Sequence, residues 1–218
     1  MKKITKIEYQ KNNKDRLNVY LDDSYAFSVD MDVMIKYSLA KNKVLEDDFI
    51  SQVLKAEEEV KAYSYAVGLL SRFPKSEKQL RDKMTEKGYD DDFIDSAISR
   101  LKEHRYLDDE RYTDMVINSR LNTSKEGKLK IRESLYSKGI DREIINEKLG
   151  NISAEDELER ACALGGKKLS SINEDDTRKK MVKLSNYLVN KGFEYGTVRK
   201  AVSRLMEKGL DELGEFDD

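Results

Sequence analysis

The chain has 218 residues, of which 39% are charged and 38% hydrophobic, with a net charge of −2 and a single cysteine. Because globular domains carry roughly 25% charged residues, this composition excludes one deep core and favours thin packing of small units. A polycation, an internal disulfide and a membrane span are also excluded, the last because no stretch approaches the roughly 18 apolar residues required, so we expect a cytoplasmic protein.

The first thirty residues alternate between apolar and polar side chains in three short runs. These runs are residues 4–9, 17–21 and 25–29, and polar turns separate them. The pattern predicts a small antiparallel β-meander. Such a sheet is marginal alone and must pack on a helix, which residues 30–39 supply. We assign residues 1–45 to this meander and short helix.

Helix is predicted for most of the remaining chain. Asp47 or Asp48 is expected to cap a helix from about residue 49 to 73. The centre of this helix, residues 55–61, is strongly charged and is expected to be solvated. Residues 46–61 are therefore interpreted as a charged helical connector.

A Lys-Gly pair then recurs three times, with glycines at Gly88, Gly139 and Gly192. Counted from each glycine, positions −8, −4, +1, +6, +10 and +13 are apolar in every copy. This spacing places side chains on one face of two successive helices, and the glycine supplies the left-handed turn between them. Asp90 and Asp141, two residues after their glycines, are expected to cap the second helix.

A further helix precedes each pair, at residues 62–73, 109–121 and 155–164. The predicted fold is therefore mainly α, with three tandem three-helix repeats forming an elongated curved array behind the N-terminal antiparallel β-meander. The repeats are assigned to residues 62–107, 108–152 and 153–210, and an acidic tail to residues 211–218.

The residues that carry these repeats are similar to those of a known family. In the first copy they are Ser76, Leu80, Arg81, Met84, Lys87, Gly88, Tyr89, Ile94, Ile98, Leu101 and the run Tyr106-Leu107-Asp108-Asp109-Glu110-Arg111-Tyr112. In the second they are Arg120, Gly127, Ile131, Leu135, Lys138, Gly139 and Ile140. With these residues the chain resembles the RecX family over roughly residues 62–210, and residues 106–112 are the most specific part. Arg105 stands where that family often has a small residue.

The resemblance implies a regulatory protein that binds RecA filaments on single-stranded DNA. It implies inhibition of RecA ATP hydrolysis and strand exchange, and hence regulation of recombination and DNA repair. It also implies repeats that lie along the groove of the filament. We expect a monomer that acts by binding rather than catalysis, with weak direct binding to DNA as a further expectation and no membrane partner.

Two other function classes compete with this interpretation. An independent nucleic-acid-binding module would need a stronger positive charge than the net −2 of this chain. An enzyme built on helical repeats would need a nucleophile, a metal cluster or a phosphate loop. We expect no catalytic residues, no metal and no cofactor.

Four features resemble catalytic or ligand-binding motifs but are interpreted as structural. His104 has no evident catalytic partner and is assigned to the surface or a helix cap. Cys162 is interpreted as a small buried apolar residue. Asp91, Asp92 and Asp95 favour a helix N-terminus over a magnesium site. The run Gly165-Gly166-Lys167-Lys168 departs from a phosphate loop and is interpreted as a flexible helix end.

The candidate contacts with RecA or DNA are basic residues in two clusters. The first cluster is Arg72, Lys75, Arg81, Arg105, Arg111, Arg120, Lys125, Lys128, Lys130 and Arg132, and the second is Lys167, Lys168, Arg178, Lys179 and Lys180, with Lys183 beside it. The alternative for any one of them is a solvated face mixed with acids. Tyrosines could stack on bases, although core packing is preferred for most of them. They are Tyr63, Tyr65, Tyr106, Tyr112, Tyr136 and Tyr187.

The tail holds five acidic residues and no basic one, directly after a repeat with 12 basic and 9 acidic residues. Because the tail is tethered, it could compete with DNA phosphate for the second cluster and suppress binding to bare DNA. A tail that serves only solubility is the alternative.

Overall fold

A computed structural model describes the backbone of residues 1–214 and the side chains of residues 1–207. The chain divides into two compact units, Met1–Leu107 and Asp108–Asp218. The predicted combination of N-terminal antiparallel strands and three-helix repeats is confirmed. Among the helices that the structure describes, none combines the length and hydrophobicity required to cross a bilayer.

Four strands form the N-terminal sheet. They are β1 (Lys2–Tyr9), β2 (Arg16–Leu21), β3 (Ser24–Asp30) and β4 (Val44–Leu45), arranged in the order β3-β2-β1-β4 with antiparallel neighbours. Asp22 and Asp23 take positive φ values of 49° and 68° at the tight turn between β2 and β3, a geometry that Asp tolerates better than most residues. The sequence did not predict β4, because two residues are too few to show alternation.

The inner face of the sheet packs on helix α1 (Met31–Lys36) and on the start of α2 (Asp47–Leu70). Alternation places Ile4, Val19 and Val29 on this face, where all three are fully buried. Asp30 caps the start of helix α1, and its side chain accepts a hydrogen bond from the Asp32 N–H group. The predicted packing of the meander on a helix is therefore confirmed.

Helix α2 runs without a break through the predicted connector and into the first repeat. It begins after Glu46, so neither Asp47 nor Asp48 is the cap. The prediction of a solvated centre is wrong at Glu57, which is only 1% exposed. Its carboxylate accepts hydrogen bonds from Arg16 Nη2 at 2.6 Å and from the Asp30 N–H group at 2.7 Å. A charged residue tolerates burial when paired in this way, and the partners lie too far along the chain for periodicity to reveal them.

The first repeat consists of the second half of α2, α3 (Glu77–Lys87) and α4 (Asp91–Glu103). Helix α3 begins with a reciprocal capping box between Ser76 and Gln79. It ends at Gly88, which takes the left-handed conformation with φ of 93°. Asp90 is the N-cap residue of α4, as predicted, although its side chain makes no capping hydrogen bond.

The second repeat consists of α5 (Asp109–Ser119), a π-helical turn (Arg120–Ser124), α6 (Lys128–Ser137) and α7 (Arg142–Gly150). The Asp108 side chain caps α5 by accepting from the Arg111 N–H group, and the Asp141 side chain caps α7. Arg105 just before this repeat has a φ of 56°, which explains physically why a small residue suits that position.

The third repeat consists of α8 (Ala154–Leu169), α9 (Thr177–Asn190) and α10 (Tyr195–Gly214). The predicted flexible helix end at the glycine pair is wrong, because α8 continues past both glycines to Leu169. Gly165 is buried there, and a Cβ atom at this position would lie 2.8 Å from Leu205 Cδ1. The first four residues of the predicted acidic tail continue the backbone of α10, and residues 215–218 lie outside the described residues.

The repeated apolar positions form the cores of the three repeats. Positions −8, −4, +6 and +10 are no more than 4% exposed in any copy, whereas positions +1 and +13 are buried or half-buried. Gly139 and Gly192 have φ values of 76° and 86°, so all three predicted turns are left-handed. The helix, glycine turn and helix of each copy are confirmed.

Candidate functional site

The basic residues of the first repeat differ in their exposure and in the contacts that they make with other side chains of the protein. Arg72 and Arg105 are exposed. The Lys75 ammonium lies 6.0 Å from the centre of the Phe73 ring. Arg81 is engaged in two ion pairs, with Glu77 at 2.8 Å and with Asp95 at 2.5 Å.

These ion pairs belong to a network that joins α3 to α4, in which Lys102 Nζ also lies 2.5 Å from Glu77. Burial by itself raises the pKa of Glu77. The hydrogen bonds from Lys102 and Arg81 outweigh burial and hold this pKa below its ordinary value. Arg81 therefore has a structural role, and Arg72 and Arg105 are the freer cations of this repeat.

In the second repeat, two of the predicted contact residues form hydrogen bonds and ion pairs within the protein. Arg120 Nη1 donates to both carboxylate oxygens of the buried Glu126, at 3.1 and 2.9 Å. The Lys128 side chain is 15% exposed, and its Nζ donates to the Ile152 carbonyl at 2.7 Å. The Lys128 N–H group donates to the buried Glu157 carboxylate at 3.0 Å.

The other basic residues of this repeat have fewer partners. Arg111 and Lys125 are exposed. Arg132 is half-buried, and its Nε has no hydrogen-bond partner among the residues that the structure describes. Lys130 is exposed, and its Nζ lies 3.4 Å from the Asn190 carbonyl and 4.0 Å from Glu126.

The start of α6 docks directly against the end of α9 in the third repeat. The Gly127 N–H group donates to the Lys191 carbonyl at 2.8 Å, and the Leu129 N–H group donates to the Gly192 carbonyl at 3.0 Å. A Cβ atom at Gly127 would lie 2.3 Å from the Gly192 oxygen, and one at Gly192 would lie 2.4 Å from Lys130 Cβ. We call the contact among Gly127, Leu129, Lys191 and Gly192 the glycine clasp. It pairs free N–H groups at one helix start with free carbonyls at another helix end.

The basic residues of the third repeat are the least engaged. Lys167, Arg178 and Lys179 are exposed and form no ion pair with the side chains that the structure describes. Arg178 and Lys179 lie in the first turn of α9, where their N–H groups donate to the Asp176 side chain. Lys180 follows them and is half-buried.

A pocket of about 480 Å³ lies between the end of α8 and one face of α9. Its lining includes Lys168 and Lys183 together with Asn173, Asn186 and Asn190. The sequence analysis did not single out the three asparagines. For Asn186 and Asn190 the signal was their spacing with residues 183 and 187, which places all four on one face of α9. Asn173 precedes this helix and has no such signal.

The features interpreted as structural lie in ordinary structural positions. His104 is exposed at the C-cap of α4, and Asp91 and Asp92 lie in its first turn. Cys162 is half-buried and packs against the core of the third repeat, so it is less buried than predicted. Within the described residues, no three His, Cys, Asp or Glu side chains are grouped to hold a metal ion.

Core packing is confirmed for most of the singled-out tyrosines. Tyr112 is buried in the second repeat, and Tyr63, Tyr65 and Tyr187 pack against the cores of the first and third repeats. The exceptions are Tyr106, which is 64% exposed, and Tyr136, which is 42% exposed.

Family models for the regulatory protein RecX match the chain along most of its length. The N-terminal domain matches residues 2–46. The first, second and third three-helix domains match residues 62–101, 108–149 and 155–202. These segments cover the sheet and most of each of the three helical repeats.

Individual relatives agree with these matches. A regulatory protein RecX from Clostridium perfringens (strain 13 / Type A) is 38% identical over 207 residues, which cover 94% of this chain and 97% of the relative. Another from Clostridium botulinum (strain Eklund 17B / Type B) is 39% identical over 204 residues, covering 93% and 95%. A crystal structure of regulatory protein RecX matches with a TM-score of 0.78 and 30% identity, covering 91% of this chain and 98% of that one. This chain therefore belongs to the regulatory protein RecX family.

Proposed function

We propose that this protein binds RecA filaments on single-stranded DNA and restrains their ATP hydrolysis and strand exchange, and that it thereby regulates recombination and DNA repair. The observation that carries the proposal is membership of the regulatory protein RecX family over the sheet and all three repeats. The protein acts by binding and does not itself catalyse a reaction.

A chain of repeated three-helix units suits a RecA filament, because the filament is itself a repetitive structure. Each repeat carries exposed basic side chains, while the chain as a whole has a net charge of −2. Several weak contacts made by one chain to neighbouring sites reinforce one another through high effective concentration. The same chain then binds only weakly to a partner that offers a single, isolated contact site.

Some of the candidate contact residues already have partners within the protein. Arg81, Arg120 and Lys128 are engaged in structural pairs. Among the candidate contact residues, those that are exposed and have no described carboxylate partner are Arg72, Arg105, Arg111, Lys125, Lys167, Arg178 and Lys179. A joint substitution of Lys125, Lys128, Lys130 and Arg132 would disturb the surroundings of the glycine clasp as well as surface charge, so it is a poor probe of binding.

The proposal is tested by measuring ATP hydrolysis by RecA on single-stranded DNA while this protein is titrated in. Inhibition should begin far below one molecule per DNA nucleotide, and the protein alone should release no phosphate from ATP. Unchanged hydrolysis at saturating protein would contradict the proposed function.

A triple variant, Lys167→Gln with Arg178→Gln and Lys179→Gln, tests the contact surface in the same assay. We expect the concentration for half-inhibition to rise by about tenfold, since each lost phosphate or carboxylate contact weakens binding. The matched control is Lys78→Gln with Lys83→Gln, two exposed lysines paired with neighbouring acids on α3. Equal inhibition by the triple variant and its control would show that these three residues do not form the contact surface.

The alternative is an independent nucleic-acid-binding module, which the lysines and asparagines lining the pocket of the third repeat favour. Such a module would bind bare single-stranded DNA as tightly as it binds the RecA filament. The proposed regulator should bind the filament more tightly, so the two affinities, measured at the same salt concentration, decide between these functions.

A further inference from the structure

The pocket between α8 and α9 has the chemistry of a ligand site. It has a volume of about 480 Å³, and its lining includes Lys168, Asn173, Lys183, Asn186, Tyr187 and Asn190. A volume of this size falls within the range of small-molecule sites. No acidic residue is among the lining residues that the structure describes.

The charged residues that line the pocket are both lysines, Lys168 and Lys183. Lys168 Nζ lies 5.6 Å from the centre of the Tyr187 ring and has no described carboxylate partner. Lys191 Nζ lies 5.9 Å from the same ring. The ammonium groups of Lys168 and Lys191 therefore both make cation–π contacts with Tyr187, which lines the pocket. Lys183 is neutralised by Glu174 at 2.8 Å. The ligand should therefore be an anion that meets Lys168 first.

The asparagines add a second type of recognition. Each side-chain amide offers two N–H donors and one oxygen acceptor. Asn186 and Asn190 lie one helical turn apart on α9, on the face that lines the pocket. A carboxylate uses only the donors of such amides, whereas the edge of a nucleobase presents donors and acceptors together.

The wall that carries these amides is held in place. Helix α9 ends in the glycine clasp, and the Asn190 carbonyl accepts from Lys130 Nζ of the second repeat. A fixed wall lowers the entropic cost of binding because fewer groups are ordered on association.

We infer that this pocket binds one nucleotide of a single-stranded nucleic acid, with the phosphate near Lys168 and the base edge facing Asn186 and Asn190. The inference rests on the proposed function, because a RecA filament carries single-stranded DNA. It assigns a direct DNA contact to the third repeat, in addition to the contacts of the whole protein with the filament.

The experiment measures fluorescence anisotropy of a labelled oligodeoxyadenylate and of an abasic oligonucleotide of equal length, with the full chain and without RecA. The protein should bind the oligodeoxyadenylate several-fold more tightly. Asn186→Ala should remove this preference, while Asn118→Ala, an exposed asparagine on α5, should retain it. Equal affinity of the unaltered protein for both oligonucleotides, or an unchanged preference in Asn186→Ala, would overturn the inference.

The phosphate contact has its own readout. Lys168→Gln should lower the slope of log affinity against log salt by about one, whereas Lys200→Gln, an exposed lysine on α10 outside the pocket, should not. An unchanged slope in Lys168→Gln would overturn the assignment of that lysine.

Competition with an oligoglutamate peptide separates two anions that could occupy the pocket. The peptide should displace the oligonucleotide no better than chloride at the same ionic strength. Specific displacement that is lost in Asn186→Ala would assign the pocket to an acidic peptide instead. Because RecA is absent from every arm, failure here leaves the ATP hydrolysis test of the proposed function unaffected.

Discussion

At the scale of single residues, Glu57 shows how one buried carboxylate joins two parts of the first unit. It lies on α2 and accepts hydrogen bonds from Arg16 on β2 and from the backbone of Asp30 at the end of β3. Removing one member of a buried ion pair leaves the other charge without compensation, which is costly. Glu58, the next residue, has a side chain that is 44% exposed and, among the described residues, forms its ion pair with Lys61.

Glu57→Ala should lower the free energy of unfolding of the first unit by about 3 kcal/mol. Glu58→Ala, the matched control, should lower it by less than about 1 kcal/mol because its ion pair is solvated. Hydrogen exchange of the β2 amides in the full chain, followed by mass spectrometry, reports on this unit alone. Similar exchange in the two variants would show that the Arg16–Glu57 pair contributes little.

The close contact in the glycine clasp also depends on single residues, because a side chain at Gly127 has no room. Gly127 has an ordinary φ of −79°, so alanine there meets no left-handed strain. The added Cβ atom would instead collide with the Gly192 backbone at 2.3 Å. Gly196, in the first turn of α10, has no described atom within 4 Å of such a Cβ.

Gly127→Ala should therefore destabilise the second unit by about 2 kcal/mol, the cost of overpacking. Gly196→Ala should be neutral or slightly stabilising, by less than about 1 kcal/mol, since alanine favours helix. Thermal unfolding followed by circular dichroism compares them. A midpoint for Gly127→Ala at or above that of Gly196→Ala would show that the clasp does not hold the repeats together.

At the scale of elements, the ion-pair network between α3 and α4 predicts a pH dependence. The pKa of Glu77 is held below its ordinary value in the folded state. Because this pKa is lower in the folded protein than in the unfolded chain, the ionised Glu77 side chain stabilises the fold. The stabilisation is complete above the pKa of Glu in the unfolded chain, about 4.3, and is lost as pH falls through the pKa of Glu77 in the folded protein. The contribution belongs to the packing of α3 on α4, since Lys102 lies on α4 and Arg81 on α3.

Glu77→Gln should therefore lower the free energy of unfolding near pH 7 by about 1 kcal/mol. The difference between this variant and the unaltered protein should shrink as pH falls below about 4. Urea unfolding at several pH values measures it. A difference that stays constant down to about pH 3 would show that Glu77 does not titrate with a lowered pKa.

At the scale of the whole molecule, the chain divides between Leu107 and Asp108. Leu107 is buried in the core of the first repeat, whereas Asp108 caps the first helix of the second. The second and third repeats, in contrast, share the glycine clasp and the Lys128–Glu157 contact. The boundary between the second and third repeats is therefore a poor place to cut the chain.

A fragment of residues 108–218 should fold cooperatively, and a fragment of residues 108–152 should not. The shorter fragment loses the acceptors for the N–H groups at the start of α6, and a domain this small buries too little apolar surface. Far-UV circular dichroism with urea titration compares the two. A cooperative transition in the shorter fragment would show that the second repeat is independent of the third.

The sequence alone determines the local architecture of this protein. The three glycine turns, the apolar positions around them and the strand alternation at the N-terminus were all predicted, because each depends on residues within a few turns of one another. The apolar face of a helix follows from spacing whatever the helix later packs against. The positions −8, −4, +6 and +10 around Gly88, Gly139 and Gly192 are buried for this reason.

Only the tertiary structure decides which polar residues are free. Glu57 and Lys128 have the composition of a solvated face, yet their partners lie 41 and 29 residues away along the chain. Gly127 reads as an ordinary helix start until α9 is placed against it. Asn186 and Asn190 become a possible site only when the end of α8 closes the pocket beside them. Hydrogen bonds and close contacts between distant segments leave no periodic trace in the sequence, so burial of charge and the shape of a pocket must come from the fold.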